Sequence, residues 1–375
     1  MKIGLIIYGR LQTLSGGYLY DRKLVEQLEA AGDEVEIISL PGEGYGRSLL
    51  HNVWFALAEQ LRLADFDLLL QDELNHPSLF WLNRRLRGEI SYPIVSIVHH
   101  LRSSETRPNW QNWLYRQVEQ RYLASVDGFV FNSQTTRQVV QSLVGDAQPH
   151  VVAFPAGDRF QTTLTPAQVA DRAQQPGPLR LLFVGNLIER KGLHVLLEAV
   201  AGLPPADWVL DVVGDTAVTP RYTQQIQQHI TRLGLEHNIT WHGPRNDEAL
   251  AAHLAQSHLL VVPSSYEGFG IVYLEGMAFG LPAIAGRGGA AHEIITDGVN
   301  GFLVEDAATL RQHLHTLHHN REQLTQMSEA AQSRFAAHPT WADSMSQIRD
   351  FLRSVISAQA GNRANHKNGY PPARV

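Results

Sequence analysis

The sequence predicts an α/β protein with two domains, because strand and helix patterns alternate twice along its 375 residues. The predicted strands are short, apolar and suited to burial on both faces of a parallel sheet. In the first half they are Lys2 to Tyr8, Glu34 to Ser39, Leu68 to Gln71, Ile94 to His99 and Gly128 to Asn132. In the second half they begin at Leu179 and continue with Val209 to Val213, Ile239 to His242, Leu259 to Val262, Ala283 to Ala285 and Gly301 to Val304.

A polar, proline-containing stretch separates the two halves and carries no sustained strand, which is typical of a linker. The helical spacing of apolar residues from Trp341 to Val355 predicts a final helix, and the polar residues after it predict disorder. The expected organisation is an N-terminal domain at 1–155, a linker at 156–178, a C-terminal domain at 179–338, a crossover helix at 339–357 and a disordered tail at 358–375.

Composition excludes several classes of protein. A hydrophobic content of 44% with 18% charged residues is ordinary for a globular protein, and a net charge of -6 argues against a nucleic-acid partner. The absence of cysteine excludes disulfides, a thiolate nucleophile and a cysteine metal site. No apolar stretch approaches the roughly 18 residues of a membrane span, and the N-terminal apolar run is too short for a signal peptide. We therefore expect a cytoplasmic protein.

A glycine-rich turn carries two glutamates at a spacing that suggests a binding site. The strand Leu259 to Val262 ends at a proline, and a helix is predicted from Ile271 to Ala278. Glu267 then lies in the loop and Glu275 in the second turn of the helix. Unpaired amides at a helix N-terminus favour an anion, and glycine lets a phosphate approach closely. The candidate donors are the amides of Gly268, Phe269, Gly270 and Ile271.

A second strand-to-helix turn places basic residues where a phosphate would need them. It begins at Gly185 and carries Arg190-Lys191-Gly192. These motifs, together with Gly16-Gly17 and the segment 289–304, resemble the retaining glycosyltransferases of family 4, or glycosyl transferases group 1. The resemblance spans nearly the whole chain and includes the E-x7-E spacing of the two glutamates. It implies the GT-B fold, in which two Rossmann-like domains face each other across a cleft and a C-terminal helix crosses back to the first domain.

The resemblance also implies roles for individual residues. In that family the later glutamate, here Glu275, binds the ribose hydroxyls, and the earlier one, here Glu267, lies beside the donor sugar. Arg190 and Lys191 would stabilise the leaving diphosphate, since a guanidinium can bind two phosphate oxygens and an ammonium adds a point charge. Backbone at five glycines would contact the nucleotide or keep its pocket open: Gly16, Gly17, Gly185, Gly214 and Gly243.

Two adjacent histidines end a predicted central strand of the first domain. Family 4 enzymes commonly have a histidine at such a position beside the donor sugar, and we assign that role to His99, which directly follows the apolar run. His100 is the alternative. A histidine at a strand end can equally be a core or rim residue.

The activity implied by the resemblance is transfer of a hexose from a UDP- or GDP-sugar to an acceptor hydroxyl with retention of anomeric configuration. No metal and no cofactor beyond the donor substrate are expected, because two basic side chains and helix amides meet the diphosphate. The acceptor would be a carbohydrate or a lipid-linked sugar. A nucleotide-sugar 2-epimerase and a non-catalytic nucleotide-sugar-binding protein remain alternatives. Retention by front-face attack or by a covalent adduct, the oligomeric state, and the donor and acceptor identities stay open.

Three further patterns have simpler interpretations. Asp65-Phe66-Asp67 fits a D-x-D metal motif but precedes a strand, which favours a solvated turn. The histidines at 313, 315, 318 and 319 indicate a solvated helix face, since no carboxylate or thiol completes a ligand set. The segment Arg107 to Leu123, with Trp110 and Trp113, suits either a packed helix, which we favour, or an interfacial helix; the basic run Asn83 to Arg87 has the same ambiguity. Peripheral contact with the inner membrane face therefore stays an alternative.

Overall fold

The structure is a computed structural model that describes residues 1–160, 162 and 164–367, with side chains described as far as 361. It contains two compact units: Met1–Pro155 with the chain from Trp341 onward, and Ala156–Thr340. Each unit has a parallel six-stranded sheet with helices, so the predicted α/β class with two Rossmann-like domains is confirmed. Within the described part of the chain, no helix has the length and apolar character needed to cross a membrane.

The first unit is built around a sheet with the strand order β2-β1-β3-β4-β5-β6. Its strands are β1 (Lys2–Tyr8), β2 (Glu34–Leu40), β3 (Leu68–Asp72), β4 (Ile94–Val98), β5 (Gly128–Phe131) and β6 (His150–Val152). Its helices are α1 (Gly16–Ala30), α2 (Tyr45–Ser48), α3 (Phe55–Leu63), α4 (His76–Leu86), α5 (Asn109–Leu123) and α6 (Gln134–Val144). Central strands β3, β4 and β5 are buried along their whole length, as their apolar sequences require.

The final helix of the chain, numbered last as α14 (Trp341–Lys367), packs in the first unit. The Trp341 ring lies edge-on to Tyr20 at 5.9 Å, and Arg349 Nε donates to Asp33 Oδ2 at 2.6 Å. The predicted return of this helix to the first domain is confirmed. Its length was underestimated, because polar residues between 358 and 367 continue the helix; residues 368–375 of the predicted tail lie outside the described residues.

The second unit has the strand order β12-β11-β10-β7-β8-β9. Its strands are β7 (Leu179–Val184), β8 (Trp208–Val213), β9 (Ile239–Gly243), β10 (Leu259–Val262), β11 (Ala283–Gly286) and β12 (Gly301–Val304). Its helices are α7 (Pro166–Gln174), α8 (Leu193–Val200), α9 (Pro220–Leu233), α10 (Asp247–Gln256), α11 (Ile271–Ala278), α12 (Ala307–His319) and α13 (Arg321–Ala336). Strands β7 and β10 are neighbours, so the turns that follow them meet at one edge of the sheet.

The segment predicted as a linker differs from the prediction, because it contains α7. Thr165 and Gln168 form a capping box at its start, and Val169 is fully buried. Arg172 Nη2 donates to the carbonyl of Phe279 at 2.7 Å, which ties the helix to the end of α11. A polar sequence can still form a packed helix when one side of it is apolar.

Candidate functional site

The basic turn after β7 packs directly against the loop after β10. Ser265 N donates to the carbonyl of Arg190 at 2.9 Å. Gly192 has φ +74, and a Cβ at this residue would lie 2.2 Å from the carbonyl oxygen of Pro263. Glycine is required here on both counts, since a side chain would be strained and would collide with backbone. This close approach positions Arg190 and Lys191 beside the Glu267 loop.

Arg190, Lys191 and Glu267 form one cluster. Lys191 Nζ donates to Glu267 Oε1 at 2.5 Å, and Arg190 Nη1 lies 3.6 Å from Glu267 Oε2 while donating to the carbonyl of Tyr266. Ser264 Oγ donates to the same Oε1 at 2.6 Å. Two cations and one carboxylate leave the cluster with an excess positive charge, which suits an anionic ligand.

The ionisation of Glu267 is set by these partners. Burial opposes the charged form, but Lys191 and Arg190 outweigh it and lower the pKa of Glu267 to about 2. The loop is also fixed through its backbone, because Ala290 N donates to the Glu267 carbonyl at 2.8 Å and Glu267 N donates to the Gly288 carbonyl at 3.1 Å. Glu267 is therefore a rigidly held, charged carboxylate.

Helix α11 begins beside this cluster as the sequence predicts. Its N-cap is Gly270, with φ +101, and no described side chain caps the helix. The first amides of a helix have no intrahelical partner, so they remain donors for a ligand. A Cβ at Gly270 would lie 2.4 Å from the Tyr273 ring, which requires glycine at the start of this helix.

Glu275 lies on α11, is 4% exposed and has Arg159 as its ion-pair partner. Arg159 Nε is 3.0 Å from Glu275 Oε1, but the two atoms do not have hydrogen-bond geometry, and both lack a hydrogen-bond partner among the described residues. Burial raises the pKa of Glu275, with Asp247 adding to the rise and Arg159 opposing it. An unsatisfied buried carboxylate oxygen is costly, which is the arrangement expected where a ligand hydroxyl would donate.

Three of the predicted glycines meet at the ends of β7, β8 and β9. Gly185 N donates to the Val213 carbonyl at 2.9 Å, and Gly214 N donates to the Gly243 carbonyl at 3.1 Å. A Cβ at Gly214 would lie 1.9 Å from the Gly185 carbonyl oxygen. Gly214 therefore allows two backbone segments to approach each other, whereas the sequence predicted that it keeps the nucleotide pocket open.

His99 belongs to a buried cluster in the first unit. Its Nε2 lies 3.2 Å from Asp21 Oδ1, and Asp21, Asp72 and His99 each place one ligand-type atom within 4.8 Å of the others. Burial disfavours the protonated ring, but Asp21, Asp72 and Glu73 outweigh it and raise the pKa of His99 to about 9. Asp21 Oδ2 has no hydrogen-bond partner in the described part of the chain.

The two predicted histidines lie in different environments. His100 Nε2 lies 2.9 Å from Glu105 Oε1 and is not part of the His99 cluster. The His99 ring is covered instead by α1, where a Cβ at Gly17 would lie 3.2 Å from His99 Cδ2. Gly16 and Gly17 form the first turn of α1 after the Ser15 N-cap, whereas the sequence placed them ahead of the helix.

The structure changes the interpretation of two motifs that resemble metal sites. In Asp65-Phe66-Asp67, Phe66 is 6% exposed and Asp67 Oδ2 accepts from Lys2 N at 2.8 Å, so the turn has a structural role. The expectation that no carboxylate joins the histidines of α12 is wrong, because Asp207, His318 and His319 approach within 4.8 Å. His313 is not simply solvated either, since its ring stacks on Phe302 at 3.8 Å.

Comparison with known proteins identifies the family. The description "Glycosyl transferases group 1" matches residues 166–334, and "Glycosyltransferase Family 4" matches residues 20–157. These matches cover most of both sheets. The chain belongs to the group 1 glycosyltransferases of the family 4 type, which have the GT-B fold.

Individual curated proteins also match the chain in sequence. An uncharacterised glycosyltransferase of Methanocaldococcus jannaschii is 36% identical over 124 residues, which is 33% of this chain and 33% of that protein. The D-inositol 3-phosphate glycosyltransferase of Corynebacterium diphtheriae is 27% identical over 345 residues, covering 85% of this chain and 79% of that protein. The chain spans only 33% to 43% of the length of three curated relatives, the Methanocaldococcus jannaschii protein among them.

Solved structures give the same fold. Sucrose-phosphate synthase from Thermosynechococcus elongatus superposes with a TM-score of 0.80 at 21% identity, covering 95% of this chain and 99% of that chain. Anabaena HepE, solved in complex with UDP and glucose, superposes with a TM-score of 0.72 at 22% identity, covering 94% and 100%. At such identities the likeness shows the fold alone.

Several site residues escaped the sequence analysis. Arg159 lies in the stretch predicted as a linker, and Asp21 lies inside a helix, so neither has a local signal. Asp72 did have one, since a carboxylate at the carboxyl end of a buried parallel strand points to a ligand edge. Ser264 lies within the glycine-rich segment itself but was not singled out.

Proposed function

We propose that this chain transfers a hexose from a UDP- or GDP-sugar to an acceptor hydroxyl, with retention and without a metal ion. The observation that carries the proposal is the cluster of Lys191, Arg190 and Glu267 beside the uncapped start of α11. It supplies excess positive charge, the amides of a helix start without a side-chain cap, and a fixed carboxylate within one strand-to-helix turn.

The reaction follows from these groups. The bond between the sugar anomeric carbon and the diphosphate oxygen breaks, and its electron pair stays on that oxygen. Lys191, Arg190 and the α11 amides stabilise the charge that develops there, which lowers the barrier most as the leaving group separates. The acceptor oxygen bonds to the anomeric carbon, and its proton is taken up by the leaving diphosphate. Glu267 orients the sugar hydroxyls.

The nucleotide's ribose is assigned to Glu275. Its carboxylate can accept from two hydroxyls at once, and one of its oxygens already lacks a hydrogen-bond partner among the described residues. Arg159 keeps the carboxylate partly neutralised until the ribose binds. The complexes of Anabaena HepE with UDP and with UDP-glucose support a nucleotide-sugar donor.

His99 is assigned to the donor-sugar side of the reaction, and the acceptor is assigned to the carbohydrate or lipid-linked class. With a pKa raised to about 9, His99 carries a proton at neutral pH and can donate a hydrogen bond to a sugar hydroxyl. His99→Ala should lower turnover by more than any loss of folded protein can explain, as judged from the melting temperature.

The experiment is a donor panel. UDP, GDP, ADP and their hexose conjugates are screened by thermal shift, because a ligand that binds the folded state raises the melting temperature. Slow hydrolysis of the stabilising donor is then followed with and without EDTA, and the anomer of any transfer product is read by NMR. Loss of turnover in EDTA contradicts the metal-free reaction. Release of a 2-epimerised sugar supports an epimerase, and binding without hydrolysis or transfer supports a non-catalytic protein.

A further inference from the structure

Exposed large apolar side chains are concentrated in the first unit. Among the described residues, the second unit exposes only valines of this kind, at 209, 218 and 299. The first unit exposes aromatic rings and leucines as well. Six of them, between 43% and 66% exposed, are called here the aromatic face: Trp54, Phe55, Trp81, Trp110, Trp113 and Leu114. A contiguous exposed apolar patch on a water-soluble surface marks an interaction site.

These side chains come from elements that pack against one another. Asn52 Oδ1, just before Trp54, accepts from the backbone N of Trp81 at 2.9 Å, which places the start of α3 on α4. The Tyr45 ring of α2 lies 4.6 Å from the Tyr115 ring of α5. Helix α4 also contacts α5, with His76 and Tyr122 rings 6.4 Å apart. The aromatic face therefore lies on elements that pack against one another.

The helices do not need these residues for their own cores. On α4, Leu82 and Leu86 are fully buried while Trp81 is 51% exposed. On α5, Tyr122 and Leu123 are fully buried. Helix α5 is thus packed, as the sequence favoured, but Leu114 is exposed and does not take part in that packing. Trp110, Trp113 and Leu114 share one helix side at positions i, i+3 and i+4.

Arginine predominates among the exposed charges around the aromatic face. Across residues 45–53, α4 and α5, the single carboxylate is Glu119, which is fully buried and accepts from Ser103 N at 3.0 Å. The exposed charged side chains on these elements are Arg47, Arg84, Arg85, Arg116 and Arg121. Helix α3 adds Glu59, which is paired with Arg62 Nη1 at 3.3 Å. A chain with net charge -6 thus concentrates arginine around its exposed aromatic rings.

We propose that the aromatic face docks on the surface of an anionic lipid bilayer. Tryptophan rings prefer the headgroup level of a bilayer, and arginine is attracted to anionic lipid. Leu50, Val53 and Leu114, also exposed, suit the acyl boundary but cannot stack on nucleic-acid bases. The surface holds the first unit at the membrane, where a lipid-linked hydroxyl is available as an acceptor.

The inference rests on the proposed function only for that acceptor, and binding is measured without any substrate. Full-length protein is sedimented with phosphatidylcholine vesicles containing increasing phosphatidylglycerol, at low and high KCl. We expect binding that rises with the anionic fraction, weakens with salt and shifts tryptophan fluorescence to the blue. Absence of binding at every anionic fraction overturns the proposal, whether or not donor hydrolysis is observed.

Matched variants locate the surface. Trp110→Gln/Trp113→Gln should lower vesicle affinity at least tenfold, and Arg84→Gln/Arg85→Gln should lower it by about fivefold for each arginine. Arg221→Gln/Arg245→Gln, which makes the same charge change in the second unit, should leave affinity unchanged. All three should keep the wild-type melting temperature, since the side chains are exposed. Equal losses in the control, or a DNA duplex that binds more tightly than the vesicles, overturn the proposal.

Discussion

Each of the two units holds a buried carboxylate beside a sheet edge, yet the pKa values of these two carboxylates are shifted in opposite directions. In the second unit, burial of Glu267 is outweighed by Lys191 and Arg190, and its pKa falls to about 2. In the first unit, burial and neighbouring Asp21 raise the pKa of Asp72 to about 7, with His99 opposing the rise. Burial is comparable at both places, since the two carboxylates are 6% and 4% exposed.

The difference lies in the partner. A lysine or arginine stays charged near neutral pH and fixes the carboxylate as an anion, whereas a histidine shares a proton with its acidic neighbours. The Lys191 cluster is therefore suited to a constant charge, such as holding a diphosphate. In the His99 cluster the histidine stays protonated at neutral pH, whereas Asp72, with a pKa of about 7, can bind and release a proton there.

The largest effect is expected from replacing Lys191, the lysine that keeps Glu267 charged and has no counterpart in the His99 cluster. Lys191→Met leaves Glu267 with the more distant Arg190 as its cationic partner, beside the Ser264 hydroxyl, and removes a cation from the leaving group. We expect donor turnover to fall by about 10²- to 10³-fold, and the pKa of Glu267 to rise. Steady-state kinetics measures the first effect. Lys23→Met, at a partly exposed lysine of the first unit, is the control, and equal activity in the two variants would reject the assigned role.

Gly192→Ala tests whether close packing holds the cluster together. The residue has φ +74, and a Cβ would approach the Pro263 carbonyl oxygen at 2.2 Å. We expect a loss of about 3 kcal/mol in unfolding free energy, from strain plus collision. Gly234→Ala is the matched control, because it has φ +69 but no atom within 4 Å; it should cost about 1 kcal/mol. Urea unfolding distinguishes them, and equal costs would show that the collision is relieved.

Glu275→Gln tests a carboxylate whose surroundings are intermediate between those of Glu267 and Asp72, because it has an arginine partner and yet a raised pKa. Loss of charge-assisted hydrogen bonds to a ribose should weaken nucleotide binding by about tenfold, since each such bond contributes about 1.5 to 3 kcal/mol. Calorimetry with the free nucleotide measures this. Glu198→Gln, an exposed glutamate of the same unit, should bind normally, and unchanged affinity in Glu275→Gln would remove it from the site.

The smallest expected effect concerns His99. Because its pKa is raised from about 6.5 to about 9, its stabilising contribution is complete below pH 6.5 and is lost as the pH rises through 9. Asp21→Asn should lower that pKa, and each unit of change corresponds to about 1.4 kcal/mol. NMR titration of the histidine rings measures both forms of the protein. A wild-type His99 that titrates at or below 6.5 would contradict the proposed proton sharing.

Much of the fold was predictable because strand patterns are local. The predicted bounds of β1, β10 and β12 agree with the structure, since each is a short apolar run with a clear end. Strand β6 was missed because it has only three residues, one of them a histidine. Helix α7 was missed because the polar composition around it obscured one buried side.

The sequence by itself determined which turns carry the candidate site: glycines at the start of α11, two glutamates eight positions apart, and the adjacent Arg190 and Lys191. Only the tertiary structure decided which charges meet. It placed Arg159 on Glu275, Asp21 on His99 and Asp207 beside His318, although the partners are far apart in the chain. The reason is physical, because backbone conformation follows neighbouring residues, whereas ionisation depends on burial and on distances through space.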